Sequence, residues 1–453
     1  MIQKPRLTFW QLWNLSFGFF GVQIAYSLQS ANISRIFATL GADPHKLSLF
    51  WLLPPLMGMI VQPLVGKYSD KTWTRFGRRI PYLFIGSLVS IAVMCLLPNA
   101  GNFNLTFAGA MAFGIVALML LDTSINMTMQ PFKMLVGDMV NEGQKSKAYS
   151  IQSFLVNAGG IVGFLFPFIF AWIGITNEAP RGQVPDTVKY SFYIGAVILL
   201  LCVIYTSLKV KEMPPKEYEK FHGIDSRNKA EKPPSMLALL KKAPNAFWTV
   251  GIVQFFCWAA FLFMWTYSPG AIADLVWKTK DVESAGYQAA GNWVGILFAV
   301  QSVGAVLWAL VIPKFKSVKT AYVLSLLLGA VGFTSILFFG KTDLCLLVNS
   351  FGHGYTIDMS AQYMLIISFL LIGVAWAAML SIPFILLTNS LSGEHLGTYL
   401  GLFNGTICLP QIVAAACGGF VLKLVGAEAN MFLVAGVFLV LGAVAVYFIK
   451  TKK

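Results

Sequence analysis

Asp122 stands in one of the most apolar stretches of the 453-residue chain, LMLLDTSINMTMQPFKMLVGD. It alone of the 19 acidic residues lies near the centre of such a run. A charge at the middle of a bilayer costs about 2.5–3.5 kcal/mol even on lenient insertion scales. A carboxyl kept there faces a bundle interior or a water cavity, where it can bind an ion, a proton or a polar substrate. The plainer alternative is a protonated or hydrogen-bonded Asp that only ties helices together. A helix turns 100° per residue, so Asn126, Met129, Gln130 and Lys133 follow Asp122 near one face. Lys133 is three turns and about 16 Å away, too far to touch Asp122. Pro131 between them removes a backbone bond and can bend the helix.

The elements that must hold these residues are membrane helices. The chain is 57% hydrophobic and 11% charged, unlike a soluble domain of this length. Twelve segments have the roughly 20 apolar residues a span needs. They lie near 8–30, 46–66, 81–98, 106–137, 147–175, 190–208, 246–270, 288–312, 320–340, 361–390, 396–422 and 430–450. Gly, Pro, Asn and Gln interrupt several of them, as is tolerated where a cavity or another helix satisfies the backbone. The opening run MIQKPRLTFWQLW has the charged flank of a signal peptide but no small-residue cleavage site, and reads as a retained first helix. Six cysteines are scattered without CxxC spacing through the expected spans and read as packing residues, not metal ligands or disulfides.

The net charge is +14, but its distribution points away from nucleic acid. With twelve spans, 25 of the Lys and Arg fall on the side of the N-terminus and 8 on the other, together the chain's 33. That is the positive-inside bias, which puts both termini in the cytoplasm and basic residues against anionic lipid head groups. The polar stretch Lys209–Pro244 divides the chain six spans from six. The expected organisation is residues 1–208 as an N-terminal six-helix bundle, 209–245 as a cytoplasmic linker and 246–453 as a C-terminal six-helix bundle. This all-α, twelve-helix layout in two halves resembles that of the major facilitator superfamily, which implies halves that rock around a midplane site.

The motifs are more specific. Gly66 to Tyr82 reads GKYSDKTWTRFGRRIPY, with Gly66, Asp70, Arg75, Gly77, Arg78 and Arg79 in a short basic loop. It resembles the superfamily's cytoplasmic gating signature, in the longer form of the sucrose–proton symporters, their animal relatives and the glycoside–cation symporters. The run LFWLLPPLMGMIVQPLVGKYSD resembles that family's second helix. Asp122, Asn126, Pro131, Lys133 and Asp138 fall in register with its fourth, LSIPFILLTNSLS is similar to its tenth, and GTYLGLFNGTICLPQIVA to its eleventh. The resemblance implies a proton-coupling role for Asp122, with Lys133, where sucrose symporters carry Arg, contributing to coupling. Lys lacks the bidentate fork of Arg, so the contact must differ in detail.

For a sugar, amides and hydroxyls meet the hydroxyl groups and aromatic faces meet the C–H surfaces. The candidates are Gln23, Tyr26 and Ser27 on helix 1, Asn126 and Gln130 on span 4, Asn157 on span 5, Gln254, Trp258 and Trp265 on span 7, and Asn404 on span 11. Gln23, Ser27 and Ser30 form one stripe. Gln254, Trp258, Phe261 and Trp265 form another. Each of these, taken alone, is equally an interhelical tie or an interface aromatic. His45 is either part of an outer vestibule or an ordinary loop residue, and Arg35 is either a gate or a lipid-interface anchor.

The expected function is a proton-coupled symporter of a disaccharide or glucoside such as sucrose or maltose, working by alternating access. Na⁺ coupling is the competing reading, and a non-transporting membrane sugar receptor or sensor is the competing class. An enzyme is not expected, because the four histidines are far apart and no nucleophile–base pair is evident. No cofactor or metal is expected beyond the coupling ion, H⁺ or possibly Na⁺. The expected partners are a small sugar and membrane lipids, with a monomer plausible and no nucleic acid. The expected setting is a bacterial inner membrane, crossed many times.

Overall fold

The computed structural model describes residues 4–103, 105–180, 182–214, 217, 240–340, 344–350, 353–359, 361–390 and 402–449. The helices are α1 (Phe9–Thr39), α2 (Pro44–Phe50), α3 (Leu53–Lys71), α4 (Ile80–Leu96), α5 (Phe107–Met139), α6 (Lys145–Trp172) and α7 (Asp186–Lys209). They continue as α8 (Asn245–Val276), α9 (Ala285–Ala309), α10 (Val318–Phe339), α11 (Ala361–Ser390), α12 (Gly405–Val425) and α13 (Met431–Val446). Among the described residues, eleven helical segments are long and apolar enough to cross a membrane, so the protein is multi-pass. The remaining expected span, α1, has 31 residues but carries amides and a guanidinium along its length, from Asn14 to Arg35.

Local chemistry explains several boundaries. Thr106 caps α5, its hydroxyl accepting from the Gly109 N–H at 3.2 Å. Ser284 and Ser317 do the same for α9 and α10. The span expected at 46–66 is two helices. Asp43 caps α2 through the His45 N–H, and the chain breaks at Trp51–Leu52 before α3. Pro54 and Pro55 sit in the first turn of α3, where a missing N–H leaves no bond unmade. The prolines Pro63, Pro131, Pro167, Pro269, Pro383 and Pro410 lie inside continuous helices and do not end them.

Among the described residues, two segments are strands. β1 (Leu344–Ser350) and β2 (His353–Met359) pair antiparallel, in register from Leu344 opposite Met359 to Ser350 opposite His353. Cys345 therefore lies in a strand, between the spans expected at 320–340 and 361–390.

The chain forms two compact units. The first comprises Met1–Asn32, Leu56–Thr176 and Gln183–Ser235. The second comprises Ile33–Pro55, Asn177–Gly182 and Met236–Lys453, so the division runs through α1 and takes α2 with the second unit. Within the first, α4 packs against α5 and α7, and α6 against α7. Within the second, α8 packs on α12 and α13, while α9 and α10 pack on α11.

Candidate functional site

In the first unit three helices meet at Asp122. The residue is 2% exposed. Its Oδ1 accepts from Gln29 Nε2 of α1 at 2.5 Å, and its Oδ2 is buried with no partner among the described residues. One turn along α5, Asn126 Nδ2 donates to the Asp122 carbonyl at 2.8 Å, and Asn126 Oδ1 accepts from Gln62 Nε2 of α3 at 2.6 Å. Ser90 of α4 donates to Ser124 at 2.8 Å, fixing the opposite face of α5. An ionised carboxylate offers about four lone-pair sites. One side-chain hydrogen bond is a thin complement for a buried group of this kind, so the arrangement can take up a proton or a cation.

The other candidates on this unit are distributed around that point. Gln130 and Lys133 follow on α5, Gln130 half-buried beside Gly66 and Lys133 exposed. Gln23 and Tyr26 are half-buried, whereas Ser27 is fully buried, packed where Gly160 and Gly163 of α6 come close. Asn157 turns back on its own helix, donating to the Ser153 carbonyl at 2.8 Å. Gln29 is one of the polar residues that the sequence offers on helix 1, but it lies about 120° around α1 from the Gln23–Ser27–Ser30 stripe and so stands outside the candidate contacts. A second stripe built on its own position would have found it.

The basic loop after α3 is a closed knot of charge. Thr74 and Gly77 pair through their backbones at 3.0 and 3.1 Å, and Gly77 holds φ +109°, where a side chain is strained. Arg78 and Arg79 are buried, and both reach Asp138 Oδ2, at 2.6 and 3.0 Å. Arg79 also donates to Ser69 Oγ. The Glu212 carboxylate, from the segment after α7, accepts the backbone N–H groups of Arg78 (3.1 Å), Arg79 (2.7 Å) and Ile80 (2.8 Å). Gly66 is buried and Arg75 is exposed, its guanidinium over the Phe76 ring. The Asp70 side chain lies outside the described residues. Glu212 carried no sequence signal, being one of many charges in a polar stretch.

The second unit holds an aromatic cluster. Trp258 and Trp265 of α8 each meet Trp376 of α11 edge to face, with ring centroids 5.7 Å apart, and Trp51 stacks on Trp265 at 6.0 Å. Phe261 joins at 5.0 Å from Trp376. Trp258 Nε1 is a buried donor with no partner among the described residues, and so is the acceptor Gln254 Oε1. Gln254 Nε2 donates to the Met379 carbonyl at 3.0 Å. Asn404 precedes α12 and donates to Cys408 Sγ at 3.8 Å. The α8 stripe was legible in the sequence. Trp376 was not, since a lone Trp in a span has no distinguishing neighbour.

Arg35 is 0% exposed, which removes its reading as a lipid-interface anchor. Its Nε donates to Gln288 Oε1 and its Nη1 to Asn292 Oδ1, both at 2.7 Å, and its Nη2 to Asn177 Oδ1 at 3.0 Å. His45 lines a cavity of about 250 Å³ with Asp274, Lys280, Tyr287 and Glu428.

Membrane-crossing helices around a buried, under-bonded carboxylate, with an ion-paired loop at one end, are the parts of a membrane transporter. Residues 15–357 match the sequence model of the Major Facilitator Superfamily, and the chain belongs to that superfamily. It is 30% identical over 218 residues to the sucrose transport protein SUC3 of Arabidopsis thaliana, covering 43% of this chain and 36% of that one. It is 24% identical over 474 residues to the sucrose transport protein SUT1 of Oryza sativa subsp. japonica, covering 95% and 86%. The fold is similar to the crystal structure of a D-xylose–proton symporter, with a TM-score of 0.66 at 16% identity over 96% of this chain and 95% of that one.

Proposed function

We propose that this transporter is a proton-coupled symporter of a disaccharide or related glucoside, with Asp122 as the coupling carboxylate. The observation that carries the reading is the Asp122 side chain: buried and, among the described residues, held by one hydrogen bond with one oxygen unpartnered. Burying a charge with so little compensation is unfavourable, and a proton removes the charge. A neutral Asp122 is cheaper to carry through an occluded state, so proton uptake and the alternating-access step are linked. Lys133, further along α5, contributes to coupling without touching Asp122.

The sugar class is supported by the similarity to sucrose transport proteins and by the kind of groups present. Asn126, Gln62 and Gln130 in the first unit offer amides for hydroxyl groups. Trp258, Trp265 and Trp376 in the second offer aromatic faces for C–H surfaces. Gln23, Tyr26, Ser27, Asn157, Gln254 and Asn404 remain candidate contacts of the same kind. The basic residues near the N-terminus, the loop after α3 and the segment after α7 support cytoplasmic termini in a plasma or inner membrane.

The test is uptake of labelled sucrose, maltose and related glycosides into proteoliposomes under an imposed pH gradient, with a Na⁺ gradient as the parallel arm. Asp122→Asn is expected to abolish accumulation driven by the pH gradient while exchange of sugar across the membrane persists. Full accumulation by that variant would falsify the coupling role. If the wild type accumulates only under a Na⁺ gradient, the ion is wrong. If it accumulates none of the glycosides under either gradient, the symporter reading fails.

A further inference from the structure

The contact between Gln29 and Asp122 is incomplete on both sides. Gln29 Nε2 donates to Asp122 Oδ1 at 2.5 Å. The second oxygen of each group, Gln29 Oε1 and Asp122 Oδ2, is buried and has no partner among the described residues. With Asp122 ionised both of these oxygens are acceptors only, so neither satisfies the other. Buried polar atoms are nearly always paired, and two orphans on one interacting pair call for an explanation.

A single proton supplies one. A protonated carboxyl is a donor through O–H and an acceptor through C=O, and a primary amide is a donor through N–H and an acceptor through C=O. The two groups are complementary and can pair through two parallel hydrogen bonds. We propose that Gln29 is the positioning residue through which the protonation of Asp122 is read. A proton taken from water forms the Oδ2–H bond, and that hydrogen is donated to Gln29 Oε1. The pair then ties α1 to α5 by two hydrogen bonds, and return of the proton to water leaves one. The inference rests on Asp122 being the coupling carboxylate.

Arg35, six residues along α1 from Gln29, has its guanidinium taken up by Gln288, Asn292 and Asn177. The polar groups that α3 and α4 bring to this part of α5, Gln62 and Ser90, are neutral, as are Asn126 and Ser124 on α5 itself. Lys133 is 11 residues along α5, about 16 Å, and Asp138, with Arg78, Arg79 and Glu212 around it, is further still. A carboxylate in place of Gln29 would share the proton and make the two groups titrate together. An amide reads the proton without competing for it.

The experiment is infrared difference spectroscopy of the reconstituted full chain stepped between acidic and alkaline pH, alongside sugar uptake. The wild type is expected to show the C=O band of a protonated, hydrogen-bonded carboxyl, and Asp122→Asn to lack it. In Gln29→Leu the band is expected at higher frequency, because a carboxyl that loses its hydrogen-bond partner has a stiffer C=O. That variant should lose about tenfold in pH-driven accumulation, within the usual range of coupling between two sites, while sugar exchange persists. Gln29→Glu, which keeps the size but puts a second carboxyl oxygen where the Nε2 donor stood, should titrate in two coupled steps. A Gln29→Leu band at the wild-type frequency, or a single unchanged titration in Gln29→Glu, overturns the role of Gln29 and leaves that of Asp122 intact. Accumulation by Asp122→Asn under the pH gradient overturns both, and Na⁺-driven accumulation with no carboxyl band at any pH does the same.

Discussion

Arg35 illustrates what a single residue does when its charge is enclosed. Three of its N–H groups are taken by amide oxygens, and no carboxylate lies within ion-pair distance among the described residues. A planar guanidinium can be satisfied this way because its donors point in fixed, separate directions; an ammonium cannot match that geometry. The side chain also needs room. A Cβ at Gly291 of α9 would stand 2.6 Å from Arg35 Cδ and 2.7 Å from its Nε. Gly291→Ala therefore forces the guanidinium away from Gln288 and Asn292, and overpacking of this kind costs about 1–3 kcal/mol. Thermal unfolding in detergent should show a lowered Tm for Gly291→Ala, and an unchanged Tm would contradict the close approach. None of this was legible in the sequence, where Arg35 kept two readings. Its partners lie 142 to 257 positions away, beyond any local periodicity. Asp122 was legible because its cost is local, set by the apolar run around it. Gln29 was legible only as one polar residue among several on helix 1, because its pairing comes from the helix it faces.

At the scale of the element, the start of α4 shows how a loop is locked. The first N–H groups of a helix have no partner within it and carry partial positive charge. Arg79, at the N-cap, makes no side-chain cap bond. Glu212 supplies the missing acceptor from the segment after α7, and at Gly77 any Cβ would stand 2.5 Å from its Oε1. Burial pushes the Glu212 carboxyl above its ordinary 4.5, while the Ile80, Arg78 and Arg79 N–H groups and the Arg79 charge pull it back. A carboxyl raised in the docked state means that docking takes up protons. Docking is therefore favoured on the acid side and weakened as pH rises from 4.5 through the raised value. Protease or thiol-reagent access next to Glu212 should grow as pH rises across that window, and Glu212→Gln should flatten the dependence. Access that does not change with pH in the wild type would count against the docked carboxylate. The Gly and Arg of this loop were readable because their spacing is short. Where α2 ends and α3 begins was not, since the apolar pattern runs on through Pro54 and Pro55 while the backbone breaks just before them.

At the scale of the whole molecule, the apolar runs made the spans readable, yet sidedness depends on whether α1 crosses, since it falls outside the eleven segments apolar enough by composition. The contacts of the first unit answer this from within. Lys4 Nζ donates to the Gly137 carbonyl at 2.9 Å, and Asn141 Nδ2 donates to the Lys4 carbonyl at 2.6 Å, so α1 starts beside the end of α5. Arg78 and Arg79 bring the end of α3 to the same place through Asp138, and Glu212 brings the end of α7. The start of α1 and the ends of α3, α5 and α7 therefore share one end of the unit, which requires α1 to traverse it. With that parity, the basic residues before α1, after α3 and after α7 fall on one side. Positive charge that close to span ends is retained on the cytoplasmic face. The exposed Cys95 and Cys417 would first be replaced by serine. A cysteine at Lys280, 79% exposed in the segment between α8 and α9, should then react with an impermeant thiol reagent added to intact cells. One at the exposed Lys211, just beyond α7, should react only after the membrane is opened. The opposite pattern would invert the protein, and labelling of both from one side would break the parity on which α1 is read as a span.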